Sequence, residues 1–181
     1  GYQNQAVVGH EMGHSFGLPH SSGNYERTYD NQWDVMSDVW TNCHRDYDNN
    51  VHPVYGCLGQ LTISYHKDLL GWIPAGQRYV ASLDGQATIR LDQLALPPTG
   101  NYLMAQIPIR GSDNRFYTVE ARRRVGYDGN LPGQGVIIHE VNNLRVRSAF
   151  VVDADGDGDT GDEGAMWTVG ETFADAAEGI S

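Results

Sequence analysis

Positive charge is what this chain has least of. Twelve Lys and Arg stand against 23 Asp and Glu, a formal net charge of −11 over 181 residues. Phosphate binding needs a basic surface, so the balance argues against nucleic acid or an anionic membrane as partner. Long hydrophobic runs are missing too. Apolar residues make up 40% of the chain, yet no run of them approaches the length of a membrane span. No secretory leader pattern stands at the N-terminus, whose first residues already read as the inside of a helix. Internal repeats and targeting tails are absent. Such a chain is an ordinary globular one, long enough for one domain or two small ones around a buried core.

Cysteine is scarce, with only Cys43 and Cys57, both in a polar stretch rich in Gly, Asn and Asp. A bridge closing that loop would stabilise the fold by about 3 kcal/mol in the chain-entropy view. Two unrelated buried thiols are the alternative. The flexible polar setting favours the bridge, and with it an oxidising, extracellular compartment.

What is present falls into two halves. Residues 4–17, NQAVVGHEMGHSFG, carry apolar and histidine positions at helical spacing, with Asn4 as N-cap and Gly17 as stop. From Leu18 to Gly59 the chain reads as a long irregular segment punctuated by single aromatics (Tyr25, Tyr29, Trp33, Trp40, Tyr47, Tyr55). Loops of that length are usually functional. A second helix is expected at 58–70, with Leu58, Leu61, Tyr65 and Leu69 on one face and Gly71 as its end. From Arg78 onward short apolar or alternating runs are separated by turn formers, which predicts an antiparallel sandwich or barrel. The expected class is α+β: a part with two helices and the long loop over 1–75, then a β-rich part over 76–181. Arg122, Arg123 and Arg124 read as a solvated strand end rather than a phosphate site. His44, His52, His66 and His139 read as surface or packed histidines.

The richest stretch is GHEMGHSFGLPHSSG, residues 9–23. His10 and His14 are four residues apart, which on a helix brings both rings to one face, about 6 Å apart along the axis. Two imidazoles so placed can bind one Zn²⁺, and Glu11 leans off that face within reach of the attacking water. A catalytic zinc usually has three protein ligands and one open position. His20 is the third candidate. Gly17 allows a positive φ and Pro19 bars continuation of the helix, so the chain doubles back and carries His20 towards the other two.

The full spacing H-E-x-x-H-x-x-G-x-x-H resembles the metzincin zinc endopeptidases at every fixed position. HEMGHSFGLPHSSG, DVMS, the cysteine pair, HKDLLGWI and FYTVEARRRVGYDGNLPGQGVIIHEVN together are similar to the secreted gametolysin-type and immune-inhibitor-A-type peptidases. In the latter group the third ligand is typically aspartate, so His20 points to the gametolysin side. The resemblance implies that His10, His14 and His20 hold zinc and that Glu11 is the general base. It also implies that Met36 in WDVMSD forms the turn beneath the metal. Some metzincins place an oxyanion-binding tyrosine two residues after that methionine. Here the position is Asp38, so this assistance does not carry over. The family also implies a mixed sheet ahead of the zinc helix, whose edge strand holds extended substrate. The chain starts nine residues before His10 and ends in ETFADAAEGIS as if within a strand, so a missing N-terminal segment of the same precursor is expected.

One further motif bears on metals. DADGDGDTGDEG, residues 153–164, sets Asp153, Asp155, Asp157 and Asp159 at alternate positions with glycines between. Oxygen ligands on a Gly-hinged loop suit Ca²⁺. Position twelve is Gly164 rather than glutamate and strands flank the loop, so another geometry than an EF-hand is expected. Asp162 and Glu163 are weaker candidates. The expectation is a secreted zinc metalloendopeptidase, stabilised by Ca²⁺, acting on protein or peptide substrates. A rival is a non-catalytic, Ca²⁺-stabilised β-sandwich binding module with a structural or vestigial zinc.

Overall fold

RFYTVEAR and GVIIHEVN are rich in strand-forming residues with apolar side chains on both faces, as strands covered from two sides require. In the computed structural model, which describes residues 4–25, 27–44 (the last two by backbone only) and 54–181, both segments are eight-residue strands at the centre of one sheet. In chain order the regular elements are α1 (Gln5–Ser15), β1 (Ser21–Gly23), α2 (Ser64–Leu69), β2 (Arg78–Val80), β3 (Met104–Pro108), β4 (Arg115–Arg122), β5 (Gly135–Asn142) and β6 (Ala149–Val151). The sheet runs β1-β6-β5-β4-β3-β2. Its centre is antiparallel, with Arg115 opposite Asn142 through Arg122 opposite Gly135, whereas both edges are parallel. The fold is therefore mixed α and β. Where the sequence suggests an antiparallel sandwich, the described strands form a single mixed sheet.

Each face has its own cover. Phe116, Ile137, Val141, Ala149 and Val151 point to the side occupied by the first part of the chain, meeting Trp33, Ile63, Tyr65 and Leu131. Tyr117 and Ile138 point the other way and are capped by Trp167, Phe173 and Ile180 of an irregular C-terminal tail. Residues from both sides of position 75 thus share the same hydrophobic clusters.

Two expected elements come out shorter. The 58–70 helix begins only at Ser64. Its expected first turns are held extended by polar anchors: Leu61 N–H donates to Asp128 Oδ1 (3.0 Å) and Thr62 Oγ to Asp34 Oδ1 (2.8 Å). Leu69 is exposed rather than sharing a buried face with Tyr65. ATIRLDQL is not a strand, although Leu91 and Gln93 make isolated bridges. Asp92 gathers the backbone and side chains of Thr99 and Asn101, which bends the segment into a loop.

Arg122 departs furthest from expectation. The sequence suggests a solvated strand end, but its side chain is fully buried. Its Nε and Nη2 make a fork to the two oxygens of Asp128 (2.9 and 2.8 Å), and Nη1 donates to Glu120 (2.9 Å) and to the Trp33 carbonyl (2.7 Å). Glu120 in turn accepts from the Ser64 N–H. Burial alone would lower the guanidinium's pKa, but Asp128 and Glu120 raise it well above its usual value, so the charge is permanent. A buried ion is tolerated only when its partners saturate it. The result is a polar rivet joining the sheet, the start of α2 and the loop before Met36. Arg123 and Arg124 do remain exposed.

Candidate metal centre

The helix that carries the first two histidines is closed at both ends by its own sequence. Asn4 Oδ1 accepts from Val7 N–H (3.3 Å). At the other end Gly17 has φ +88°, Gly17 N–H bonds the His14 carbonyl and Leu18 N–H bonds the Gly13 carbonyl. This double bond pattern around a left-handed glycine stops the helix and reverses the chain. Two residues on, His20 returns to α1. Ser21–Gly23 then pairs with Ala149–Val151, so the arm carrying His20 is an edge strand of the sheet.

The three imidazoles converge. Their Nε2 atoms are 3.1 Å apart for His10–His14, 3.0 Å for His14–His20 and 3.2 Å for His10–His20. His10 Nδ1 lies 2.8 Å from the Val35 carbonyl oxygen and His14 Nδ1 3.0 Å from that of Leu18. A carbonyl only accepts, so both Nδ1 atoms carry the proton and both Nε2 atoms present lone pairs. Lone pairs aimed at one centre repel unless a cation lies among them. Ligands about 2.0–2.1 Å from a tetrahedral Zn²⁺ sit about 3.3 Å from each other, so the residues present fit that ion. Burial, then the neighbouring His14 and His10, lower the His20 pKa from its ordinary 6.5, which favours the neutral ligating form.

Met36 lies beneath. It is fully buried, and a Cβ built on Gly13 would come within 2.2 Å of its sulfur, so the turn presses on bare helix backbone next to His14. Asp38, two residues on, is turned away: it accepts from Trp40 N–H, Thr41 N–H and Thr41 Oγ, capping the 3-10 turn that follows. Glu11 is exposed, one helical step from His10.

Two residues to which the sequence assigns no role stand at this site. Tyr29, at φ +60°, sets its ring edge-on to His20 with centroids 5.2 Å apart, and 6.3 Å from His10, while remaining half exposed. Asp34 is fully buried and takes four donors from around the site, including Ser21. Burial would raise its pKa, but the charge and hydrogen bond of His66, then the bonds from Ser21 and Met36 N–H, hold it well below the ordinary carboxylate range. A signal existed in the aspartate two residues before a turn methionine, since Asp in that place can accept the N–H two residues on.

The acidic loop is assembled differently. Asp153, Asp155 and Asp157 bring carboxylate oxygens within 4.8 Å of one another; Asp159 is not in that group. Along the loop four carboxylates accept an N–H two residues ahead: Asp155 from Asp157, Asp157 from Asp159, Asp159 from Gly161 and Asp162 from Gly164. Gly156 and Gly158 hold positive φ. Gly164 is required where it stands, because a Cβ there would meet Asp155 Oδ2 at 2.3 Å. Asp153 Oδ2 accepts from Tyr25 OH (2.6 Å) and Gly158 N–H (3.0 Å), and that bond pushes the Tyr25 pKa up to about 12. Asp153 Oδ1 is covered and meets no partner among the described residues, whereas Glu163 pairs with Arg124.

The other histidines are packed. His66 bonds Asp34, and His139 Nε2 meets Asn31 Nδ2 at 3.1 Å. His52 and Tyr47 lie outside the described residues, as do the side chains of His44 and Cys43. Cys57 is disulfide-bonded. Comparison with protein-family models, with curated proteins and with solved structures finds no match to the chain.

Proposed function

We propose that the chain carries the catalytic centre of a secreted zinc-dependent metalloendopeptidase of the metzincin kind. The observation that carries the reading is the triangle of Nε2 atoms, 3.0–3.2 Å on a side, with two of its three rings fixed by backbone carbonyls. His10, His14 and His20 are the ligands. When bound, Zn²⁺ supplies Lewis-acid polarisation of the scissile carbonyl and acidifies water. Glu11 accepts the proton of the attacking water and delivers it to the leaving amine. Tyr29, the phenol beside His20, is the candidate donor to the developing oxyanion in place of the tyrosine that Asp38 displaces. A disulfide at Cys57 is compatible with an oxidising, extracellular setting. Ca²⁺ is proposed for Asp153, Asp155 and Asp157, stabilising the loop between β6 and the tail.

The test is hydrolysis of casein or gelatin by the wild-type chain, abolished by a chelator and restored by Zn²⁺. A chain that binds zinc but never cleaves would favour the rival reading, a non-catalytic binding module. Replacing Glu11 by Gln should leave zinc content intact while hydrolysis collapses; unchanged turnover in that variant refutes the assigned base.

A further inference from the structure

We propose that Asp34 is a positioning residue of the metal centre, one buried carboxylate that sets two of the three imidazoles from behind. This rests on the zinc reading above. Each oxygen of Asp34 faces two ways. Oδ2 accepts from Ser21 Oγ at 2.6 Å on the metal side and lies 3.0 Å from His66 Nδ1 on the α2 side. Oδ1 accepts from Met36 N–H at 3.0 Å on the metal side and from Thr62 Oγ at 2.8 Å on the α2 side.

Both metal-side bonds end next to a ligand. Ser21 follows His20 directly, so its anchored hydroxyl fixes the backbone from which that ring projects. Met36 N–H closes the turn in which Val35 presents its carbonyl to His10 Nδ1. His14 is independent, held by the Leu18 carbonyl. Asp34 is fully buried, so no water stands ready to replace it. The Arg122 bond to the adjacent Trp33 carbonyl ties the same loop to the sheet. The sheet thus reaches the metal centre by two routes: edge strand β1, and the Arg122–Trp33–Asp34 chain of contacts.

Chemistry predicts unequal effects from substituting the four-bond hub. In Asp34→Asn the single amide oxygen must serve Met36 N–H, which cannot turn into an acceptor, so the NH₂ falls on the Ser21 side. Ser21 Oγ can accept from that NH₂, so both supports persist, the one to Ser21 as a neutral bond in place of a charge-assisted one. Ser21→Ala removes that support outright, together with the bond Ser21 Oγ accepts from Asn31 Nδ2 (3.2 Å), while leaving the carboxylate in place; Thr62→Val removes one bond of equal kind on the α2 side only.

The experiment measures zinc affinity of these variants by competition with a chromophoric chelator, with the visible d–d spectrum of the Co²⁺-loaded protein as a report of ligand geometry. Ser21→Ala should weaken zinc about 10- to 100-fold, the range typical of groups that orient metal ligands, and Asp34→Asn by less. The double variant should be little weaker than Ser21→Ala alone, because both substitutions act on one interaction. Thr62→Val should keep wild-type affinity and Co²⁺ spectrum even where it lowers the melting temperature. Ser21→Ala at wild-type affinity, or Thr62→Val losing zinc as strongly as Ser21→Ala, overturns the assignment while leaving the zinc reading intact. A wild-type chain that takes up no zinc overturns both.

Discussion

The histidine trio and the acidic loop are two answers to the problem of holding like groups together. In the trio the chain spends its hydrogen bonds on the far side of each ring: Nδ1 of His10 and of His14 is occupied and the Nε2 atoms are left facing one another. In the loop Asp155, Asp157 and Asp159 satisfy themselves, each taking a backbone N–H two residues on, and only Asp153 turns to more distant donors. The first arrangement has little stability of its own without a cation. The second can stand as a solvated turn and needs an ion less. Rigid elements and borrowed carbonyls mark the site whose geometry is fixed in advance; self-bonded turns mark the one that can adapt.

The contrast can be broken in graded ways. The largest effect belongs to Glu11→Gln, which should lower peptide hydrolysis by about 10²- to 10⁴-fold with zinc content unchanged, read by steady-state kinetics beside metal analysis. Next comes Arg122→Met, which leaves Glu120 and Asp128 as buried charges without their partner. Denaturant unfolding should show a loss of about 3–5 kcal/mol, because removing one member of a buried ion network is costly. Gly13→Ala drives a methyl group into the Met36 sulfur and should cost about 1–3 kcal/mol while weakening zinc, since the strained residue adjoins His14. Asp153→Asn should leave zinc affinity alone and abolish any rise in melting temperature on adding Ca²⁺. A zinc loss from that substitution would show that the two sites are not separate devices.

Acid sharpens the comparison further. Burial lowers the His139 pKa to about 4, so the folded protein keeps that ring neutral where the unfolded chain has already taken up a proton. Stability from this source is complete above the unfolded value near 6.5 and is lost as pH falls from there toward about 4. The loss should be about 3 kcal/mol at most. His20 is shifted in the same direction, so the His139 share is read as the difference in acid slope between wild type and His139→Gln, both zinc-loaded. Asp34, with its lowered pKa, adds acid sensitivity only below the ordinary carboxylate range and leaves that window clear.

Much of the local structure could be read from residues alone because it is decided locally. Asn4 and Gly17 bound α1 through their own side chain and backbone freedom, and the apolar side chains on both faces of β4 and β5 mark them as strands covered from two sides. What escaped was set by distant partners. Leu61 and Thr62 look helical, but Asp128 and Asp34 claim their polar groups first. Ser21–Gly23 is too short and polar to read as a strand and exists because β6 offers an edge. Arg122 follows the apparent rule for arginine runs until two carboxylates and two carbonyls close around it. The spacing of the three histidines was legible; the supports of two of them, Val35 and Asp34, were not, since a carbonyl and a buried aspartate have no spacing signature.

The reversal at Gly17 has a consequence for how the protein comes to be. All three imidazoles fall within eleven consecutive residues, so closing the ring of donors needs only a short loop and a small entropy loss. If the trio holds zinc as proposed, a nascent chain could grip the ion loosely long before the strands meet, with a firm hold arriving only once distant partners lock the rings. Metal supplied during synthesis would then act as a seed for folding as well as a finished part.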